Sequence, residues 1–243
     1  MGQVSGDKGE HTLGHVPPLS DAQRSGSIYG IKARAKDGGD ILVPEVAKRG
    51  DLEVGRFEIT RGQYYIYDRF AHGARHGDTR EAGPTTGLDS PAHGVSSSDA
   101  QDYAAWLSQA TGLMWRIPYE DEVKNLYEKR EGENTLDYWA GYAPNPEDAA
   151  KLREAAKKLN GAAPLLKAVG SFHGQGKDDE EPIYDLGGNV AEWVLTRDGK
   201  GKVIGGSADC PADAKANCTP APEYVGFRVV RGGAKPAAAS ERH

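Results

Sequence analysis

Cys210 and Cys218 are the most reactive side chains in this 243-residue chain, and they lie eight positions apart near its carboxyl end. Thiolates bind soft metal ions and carry redox chemistry, so the pair is a candidate catalytic or metal site. Pro211 and Pro220 border the pair, which also suits a disulfide that closes a short surface loop. Three interpretations stay open: a disulfide, two inert thiols, or a metal or redox role.

Histidine is another common metal ligand. His72 and His76 have the four-residue spacing of ligands on one helix face, but Gly73 and Gly77 argue against a helix there. We interpret these two histidines as solvated loop residues. His93 has no partner nearby in the sequence. The histidines therefore predict no metal centre of their own.

The composition excludes several classes of protein. The formal net charge is −6, whereas nucleic-acid-binding domains are usually basic. No segment approaches the roughly 18–20 consecutive apolar residues of a membrane span. Glycine occupies 32 of the 243 positions, against roughly 7% in an average protein. We therefore expect a globular chain, rich in turns and loops, that neither binds nucleic acid nor spans a membrane.

The sequence predicts helices in the first half of the chain, and these belong to the framework that must position the candidate residues. Thr60 and Gln63 form a capping-box pattern at the start of one helix. A second helix is predicted from Ser98 to the left-handed cap at Gly112. Its inner face has helical spacing and consists of Ala100, Tyr103, Ala104 and Leu107. Pro118 is expected to open a third helix.

A fourth amphipathic helix is predicted over residues 147–160. Its inward face is expected to carry Leu152, Ala155, Ala156 and Leu159, and Glu154 is expected to pair with Lys158 one turn later. Short strands are predicted at 41–46, 168–172, 190–195, 202–204 and 225–231. We divide the chain into a polar arm (1–50), one domain (51–232) and a flexible tail (233–243). The pattern is that of an α+β protein.

Six short motifs, in chain order, resemble those of the formylglycine-generating enzyme / sulfatase-modifying-factor family. They are 58–60 (similar to E-V-T), 91–107 (P-V-x-x-V-S-W-x-D-A), 111–122 (T-G-x-x-x-R-L-P-T-E), 184–193 (L-Y-D-M-x-G-N-V-W-E-W), 205–207 (G-G-S) and 226–228 (G-F-R). The resemblance covers about residues 51–232. It implies the C-type-lectin-like fold of that family, an α+β domain with little regular secondary structure.

In the active oxidases of the family that this chain resembles, two cysteines five positions apart hold Cu(I). Cys210 falls where the first of these is expected, three residues after Ser207, but Lys215 stands where the second is expected. The active enzymes have a longer, arginine-rich sequence here, whereas this chain has no arginine between Gly206 and Arg228. The resemblance therefore implies that this chain has lost the oxidase loop of the active enzymes.

A calcium ion is a further implication of the resemblance, because the family's G-N-V-W-E-W stretch wraps one. Carried onto this chain, Asn189 and Glu192 would supply side-chain oxygens, and Gly188 and Val190 would supply carbonyl oxygens. In the alternative interpretation, Asn189 and Glu192 bond to neighbouring backbone and brace the loop without an ion.

Two functions are consistent with these residues. The preferred one is a non-catalytic domain that binds a protein or small-molecule ligand through loops around 207–225, together with the 72–93 loop. The alternative is a copper-dependent oxidase that uses Cys210 and Cys218 on a substrate cysteine or other thiol. A disulfide between these cysteines would suit an extracytoplasmic location.

Overall fold

The computed structural model describes residues 29–72, 87–127, 146–159, 163–172, 174–177, 179–210 and 219–232. The strands are β1 (Ile31–Arg34), β2 (Asp40–Val43), β3 (Val46–Arg49), β4 (Leu52–Gly55), β5 (Trp115–Arg116), β6 (Ala191–Leu195), β7 (Gly201–Ile204), β8 (Val225–Gly226) and β9 (Val230–Gly232). The helices are α1 (Arg61–His72), α2 (Ser97–Thr111), α3 (Glu120–Tyr127) and α4 (Pro146–Ala156), with a 3₁₀ turn at Pro222–Tyr224. The predicted tail, His76 and Cys218 lie outside the described residues.

Three small sheets connect distant parts of the chain. β1 and β2 form an antiparallel pair, and a four-stranded antiparallel sheet has the order β3-β4-β9-β5. In the third sheet, β6 pairs antiparallel with β7 and parallel with β8. Because β3 pairs with β4, ordered structure begins well before residue 51, the boundary expected from the sequence.

The capping signals of α1 and α2 act as predicted. At α1, the Thr60 N–H donates to Oε1 of Gln63 at 2.9 Å, and the Gln63 N–H donates to Oγ1 of Thr60 at 3.1 Å. Helix α2 has a second capping box, between Ser96 and Asp99, and ends at Gly112 with φ +74°. The predicted α2 stripe is buried in the largest hydrophobic cluster, beside α1 and Phe227.

The prediction for the fourth helix was wrong in part. The helix ends at Ala156, so the residues after it no longer follow helical spacing, and Leu159 is 44% exposed. Ala155 is also exposed. Glu154 pairs with Lys157 at 2.6 Å rather than with Lys158. Only part of the predicted inner face is therefore buried.

The strand predicted at 168–172 does not form. Its backbone N–H groups at Gly170 and Phe172 donate to the carboxylate of Asp185 instead of to a neighbouring strand. The strand predicted at 225–231 is divided between two sheets, as β8 and β9. The residues between these strands carry Arg228 into the interior, where it is 1% exposed.

Candidate functional site

Residues 207–210 form a tight turn at the start of the segment predicted to bind ligand. The Ser207 N–H donates to the Cys210 carbonyl at 2.7 Å, and the Cys210 N–H donates to the Ser207 carbonyl at 3.2 Å. The Ser207 hydroxyl donates to Oδ1 of Asp209 at 2.5 Å. Cys210 is only 3% exposed. The turn therefore places the cysteine side chain in the interior.

Hydrogen bonds hold both ends of this segment to the body of the domain. Oδ2 of Asp209 accepts the N–H of Ala221 at 3.2 Å, across the residues that separate them in sequence. The Ala208 N–H donates to the carbonyl of Asn189 at 2.7 Å. The hydroxyl of Tyr224 accepts the N–H of Leu165 at 3.4 Å. Together these bonds hold residues 207–210 and 219–224 to each other and to the body of the domain.

A cavity of about 300 Å³ opens beside the anchored segment. Its walls come from α4, from the residues after α4 and from both ends of the 207–225 segment. They include Arg153, Leu159, Leu165, Asp209, Glu223 and Tyr224. Basic, acidic and apolar side chains therefore meet around one space.

Asp209 is the buried charge of this cavity. Burial raises the pKa of Asp209, and the hydrogen bonds from Ser207 and Ala221 together with the charge of Arg153 oppose that shift. A carboxylate in partly desolvated surroundings interacts more strongly with a ligand than one in water does. Asp209 is therefore a buried carboxylate in this wall, and its two oxygens already accept hydrogen bonds from Ser207 and Ala221.

Asn189, the first predicted calcium ligand, contacts backbone on a neighbouring loop. Its Oδ1 accepts the Lys167 N–H at 3.0 Å, and its Nδ2 donates to the Lys167 carbonyl at 3.2 Å. The residue is fully buried and has φ +61°. This left-handed conformation suits asparagine better than most residues. Gly188 and Val190 flank it and are also buried.

Glu192, the second predicted calcium ligand, forms a buried ion pair. Its Oε1 accepts from Arg228 at 2.8 Å, and its Oε2 accepts from Nε of Arg228 at 3.1 Å. The Tyr127 hydroxyl also donates to Oε2, at 2.6 Å. Arg228 further donates to the carbonyls of Gly55 and Tyr184, both at 2.8 Å. The guanidinium therefore connects three separate parts of the chain.

These contacts favour the alternative in which Asn189 and Glu192 brace the loop. Both carboxylate oxygens of Glu192 lie against a guanidinium, which would repel a cation, and both polar atoms of the Asn189 amide have backbone partners. Within the described ranges, no group of three His, Cys, Asp or Glu side chains could hold a metal ion. In this arrangement, Glu192 does not fit a calcium ion. The calcium site stays a prediction.

A buried acid pair, Glu58 and Asp185, lies next to this ion pair and was not predicted as a site. Each is 1% exposed. Both oxygens of Asp185 accept backbone N–H groups, whereas neither oxygen of Glu58 has a hydrogen-bond donor within the described part of the chain. Burial, followed by the charge of Asp185, raises the pKa of Glu58 well above its usual range. A protonated Glu58 can donate to Asp185, so the pair is best explained by one retained proton.

One sequence signal points to this pair. Glu58 stands between Phe57 and Ile59, and a charged residue inside an apolar run is unusual unless it has a partner. The partner Asp185 is far away in sequence and has φ +62°, an uncommon conformation for a residue other than glycine. Only the folded chain shows that the two belong together.

We expect Asn189→Ala to destabilise the domain by about 2–4 kcal/mol, because it removes two buried hydrogen bonds and places alanine in a left-handed conformation. Asn189→Gly is the matched control, since it removes the same bonds but tolerates the conformation. Urea unfolding of both variants measures the difference. Equal stability of Asn189→Ala and the natural protein would contradict the bracing role of the amide.

Residues 37–240 match the family model of the sulfatase-modifying factor enzyme 1-like domain. The chain belongs to this family, and its fold is the C-type-lectin-like fold of the formylglycine-generating enzymes. The match includes residues 37–50 of the expected arm and residues 233–240 of the expected tail. No curated protein matched the chain.

Three solved structures are similar to the chain at low identity. PvdO from Pseudomonas aeruginosa is 20% identical, with 84% of this chain and 99% of that chain covered and a TM-score of 0.45. CarF is 20% identical, with 84% and 98% covered and a TM-score of 0.39. The Treponema denticola variable protein 1 is 16% identical, with 85% and 94% covered and a TM-score of 0.34. None of the helices in the described ranges is long and apolar enough to cross a membrane.

Proposed function

We propose that this chain is a non-catalytic binding domain that takes a protein or small-molecule ligand at the 207–225 segment. The observation that carries the proposal is the cavity of about 300 Å³ lined by both ends of that segment and by α4. Its wall combines the buried carboxylate of Asp209 with the exposed apolar side chain of Leu159. A concave space with apolar side chains and a few convergent polar groups is the general form of a small-molecule site.

The proposed disulfide between Cys210 and Cys218 is consistent with this function. Cys210 is buried, no free thiol occurs in the described ranges, and Cys218 is the only other cysteine of the chain. Such a bond would close the loop whose two ends the domain already anchors. Thiol titration of the unreduced, denatured protein tests it: two free thiols per chain would exclude the bond.

A cavity-filling variant tests the proposed binding site. In a melting screen of small molecules and peptides, we expect ligands that stabilise the natural protein to lose that effect in Ala221→Phe, because the larger ring occupies the cavity. Met114→Phe, at a residue that is 48% exposed and does not line the cavity, is the matched control. Ligands that stabilise both variants equally would show that binding occurs elsewhere.

The copper oxidase remains the second candidate, because Cys210 has the expected offset from Ser207 and adjoins Asp209 in the cavity wall. Two thiolates would bind Cu(I) as soft ligands. A Cu(I) titration of the reduced protein separates the two functions. Tight binding that is lost in Cys210→Ser would support the oxidase, whereas no binding would remove it.

The proposed calcium ion is tested separately. A structural ion would raise the melting temperature in proportion to its binding energy, so a chelator would lower that temperature. An unchanged melting temperature with chelator would contradict the ion and leave Asn189 and Glu192 as bracing residues only.

A further inference from the structure

A second groove, distinct from the cavity at 207–225, lies between α1 and the turn that precedes α2. Its volume is about 300 Å³. The lining residues on α1 include Arg61, Tyr64, Tyr65 and Asp68, and those across the groove include His93 and Asp99. Neither the predicted cysteine site nor the predicted calcium site contributes to it. In the described ranges, no residue lines both this groove and the cavity at 207–225.

The wall formed by Tyr64 is aromatic and well supported. Its ring stacks on Tyr103 with centroids 6.0 Å apart and meets Tyr67 and Phe227 edge-on at 5.4 and 6.2 Å. Tyr103 and Phe227 are fully buried, so the packed core holds the Tyr64 ring in place. A fixed aromatic surface binds a flat or cationic group at low entropic cost.

Two carboxylates, those of Asp68 and Asp99, line the groove together with Tyr64. After burial, which is the largest cause, the charges of Asp99, Asp68 and Asp102 raise the pKa of Tyr64. The same three carboxylates raise the pKa of Tyr67, again after burial. A positive group at this end of the groove would therefore be stabilised.

The positive charge of Arg61 lies toward the other end. Arg61 and Asp68 are seven residues apart on α1, which places them about 10 Å apart along the helix. Arg61 acts on His93, whose pKa is lowered first by burial and then by that charge. Burial and the charge of Arg61 both favour the neutral imidazole of His93. The groove thus has a guanidinium at Arg61 and a carboxylate at Asp68, with the neutral Tyr64 ring between these positions on the helix.

We propose that the Tyr64–Asp68 end of this groove binds a basic side chain, preferably arginine, of a protein partner. The guanidinium would lie on the tyrosine wall and within the field of the three carboxylates. The chain itself uses the same contact on α1, where the Arg69 guanidinium lies 5.9 Å from the centroid of Tyr65. Charge complementarity and the aromatic wall together select a delocalised cation over a neutral side chain.

The test is a titration of the full chain with Nα-acetyl-arginine amide, followed by NMR. Nα-acetyl-citrulline amide, which has the same shape without the charge, is the control ligand. We expect saturable binding of the arginine ligand and binding of citrulline that is weaker by about five-fold or more. Added salt should weaken the arginine ligand only, because salt screens the charges.

Variants assign the effect to the groove. Asp68→Asn and Asp102→Asn are each expected to weaken arginine binding by about two- to five-fold. Asp102 lies in α2 outside the capping box, so its substitution does not disturb the start of that helix. Arginine binding can therefore still be measured in Asp102→Asn if Asp68→Asn does not fold. Asp121→Asn, which removes an exposed carboxylate of α3, should leave the affinity unchanged. Equal binding of arginine and citrulline, or unchanged affinity in both Asp68→Asn and Asp102→Asn, would overturn the proposal.

Discussion

Arg228→Met is expected to destabilise the domain by about 3–5 kcal/mol, because it leaves a buried carboxylate without its partner. The guanidinium is 1% exposed and donates to both oxygens of Glu192. It also donates to the carbonyls of Gly55 and Tyr184. Methionine fills much of the space but satisfies none of these acceptors. Urea unfolding measures the loss.

The effect should be large because more than one negative charge depends on Arg228. The arginine opposes the pKa shifts of both Glu58 and Asp185, in addition to pairing with Glu192. Removing it would leave the Glu192 and Asp185 carboxylates, together with the protonated Glu58, in the interior without this counter-charge. Their repulsion is strong where water is excluded.

The control is Arg197→Met, which also breaks an ion pair. Arg197 bonds Asp121 at 2.8 Å, but both side chains are more than half exposed. Water replaces such a contact easily, so we expect only a small fraction of the loss seen at Arg228. Equal losses in the two variants would contradict the central role assigned to the buried pair.

Glu58→Gln is expected to make the domain more stable at neutral and alkaline pH and to reduce its sensitivity to pH. The folded protein holds the proton on Glu58 to higher pH than the unfolded chain, because burial raises the pKa above the ordinary value of 4.5. Stability is therefore full below that value and falls as the pH rises above it. The slope for one retained proton is up to about 1.4 kcal/mol per pH unit.

Asp185 contributes in the same direction over a narrower range. Burial raises its pKa from 3.8 to about 6, while the N–H groups of Gly170 and Phe172 oppose the shift. Its contribution to stability is thus lost between these two pH values. Glutamine at position 58 mimics the protonated acid and can still donate to Asp185, so only the Glu58 part of the pH dependence should disappear.

Asp185→Asn is the matched comparison and should behave in the opposite way. Both Asp185 oxygens accept backbone N–H groups, and an asparagine has only one side-chain oxygen. One N–H group would then face the amide nitrogen, so we expect a loss of stability at every pH. Melting from pH 4 to 9 compares the variants. A Glu58→Gln profile parallel to that of the natural protein would contradict the retained proton.

Local signals predicted the helices well. Thr60 with Gln63 and the left-handed cap at Gly112 act through neighbours within a few residues, so the sequence alone contains the whole interaction. The same reasoning was wrong at 168–172, where the backbone partner is the Asp185 carboxylate. A pattern of apolar residues cannot show that a distant side chain takes the N–H groups of a strand.

The candidate site was predictable only in outline. The motifs led to the family and drew attention to Cys210, Asn189 and Glu192, and the family match confirmed the fold. The resemblance predicted Asn189 and Glu192 as calcium ligands. In the structure, Asn189 is hydrogen-bonded to Lys167, and Glu192 is paired with Arg228. Those contacts favour a bracing role, which the residues around position 190 do not reveal.

The sequence by itself determined the family, the helix boundaries set by capping residues and the candidate segment at 207–225. These depend on motifs and on contacts between near neighbours. Only the tertiary structure decided the partners of the buried charges and the position of the two cavities. Charges that are far apart in sequence meet because β8 and β9 belong to different sheets and carry Arg228 between them. Burial then forces each charge to find a partner or keep a proton.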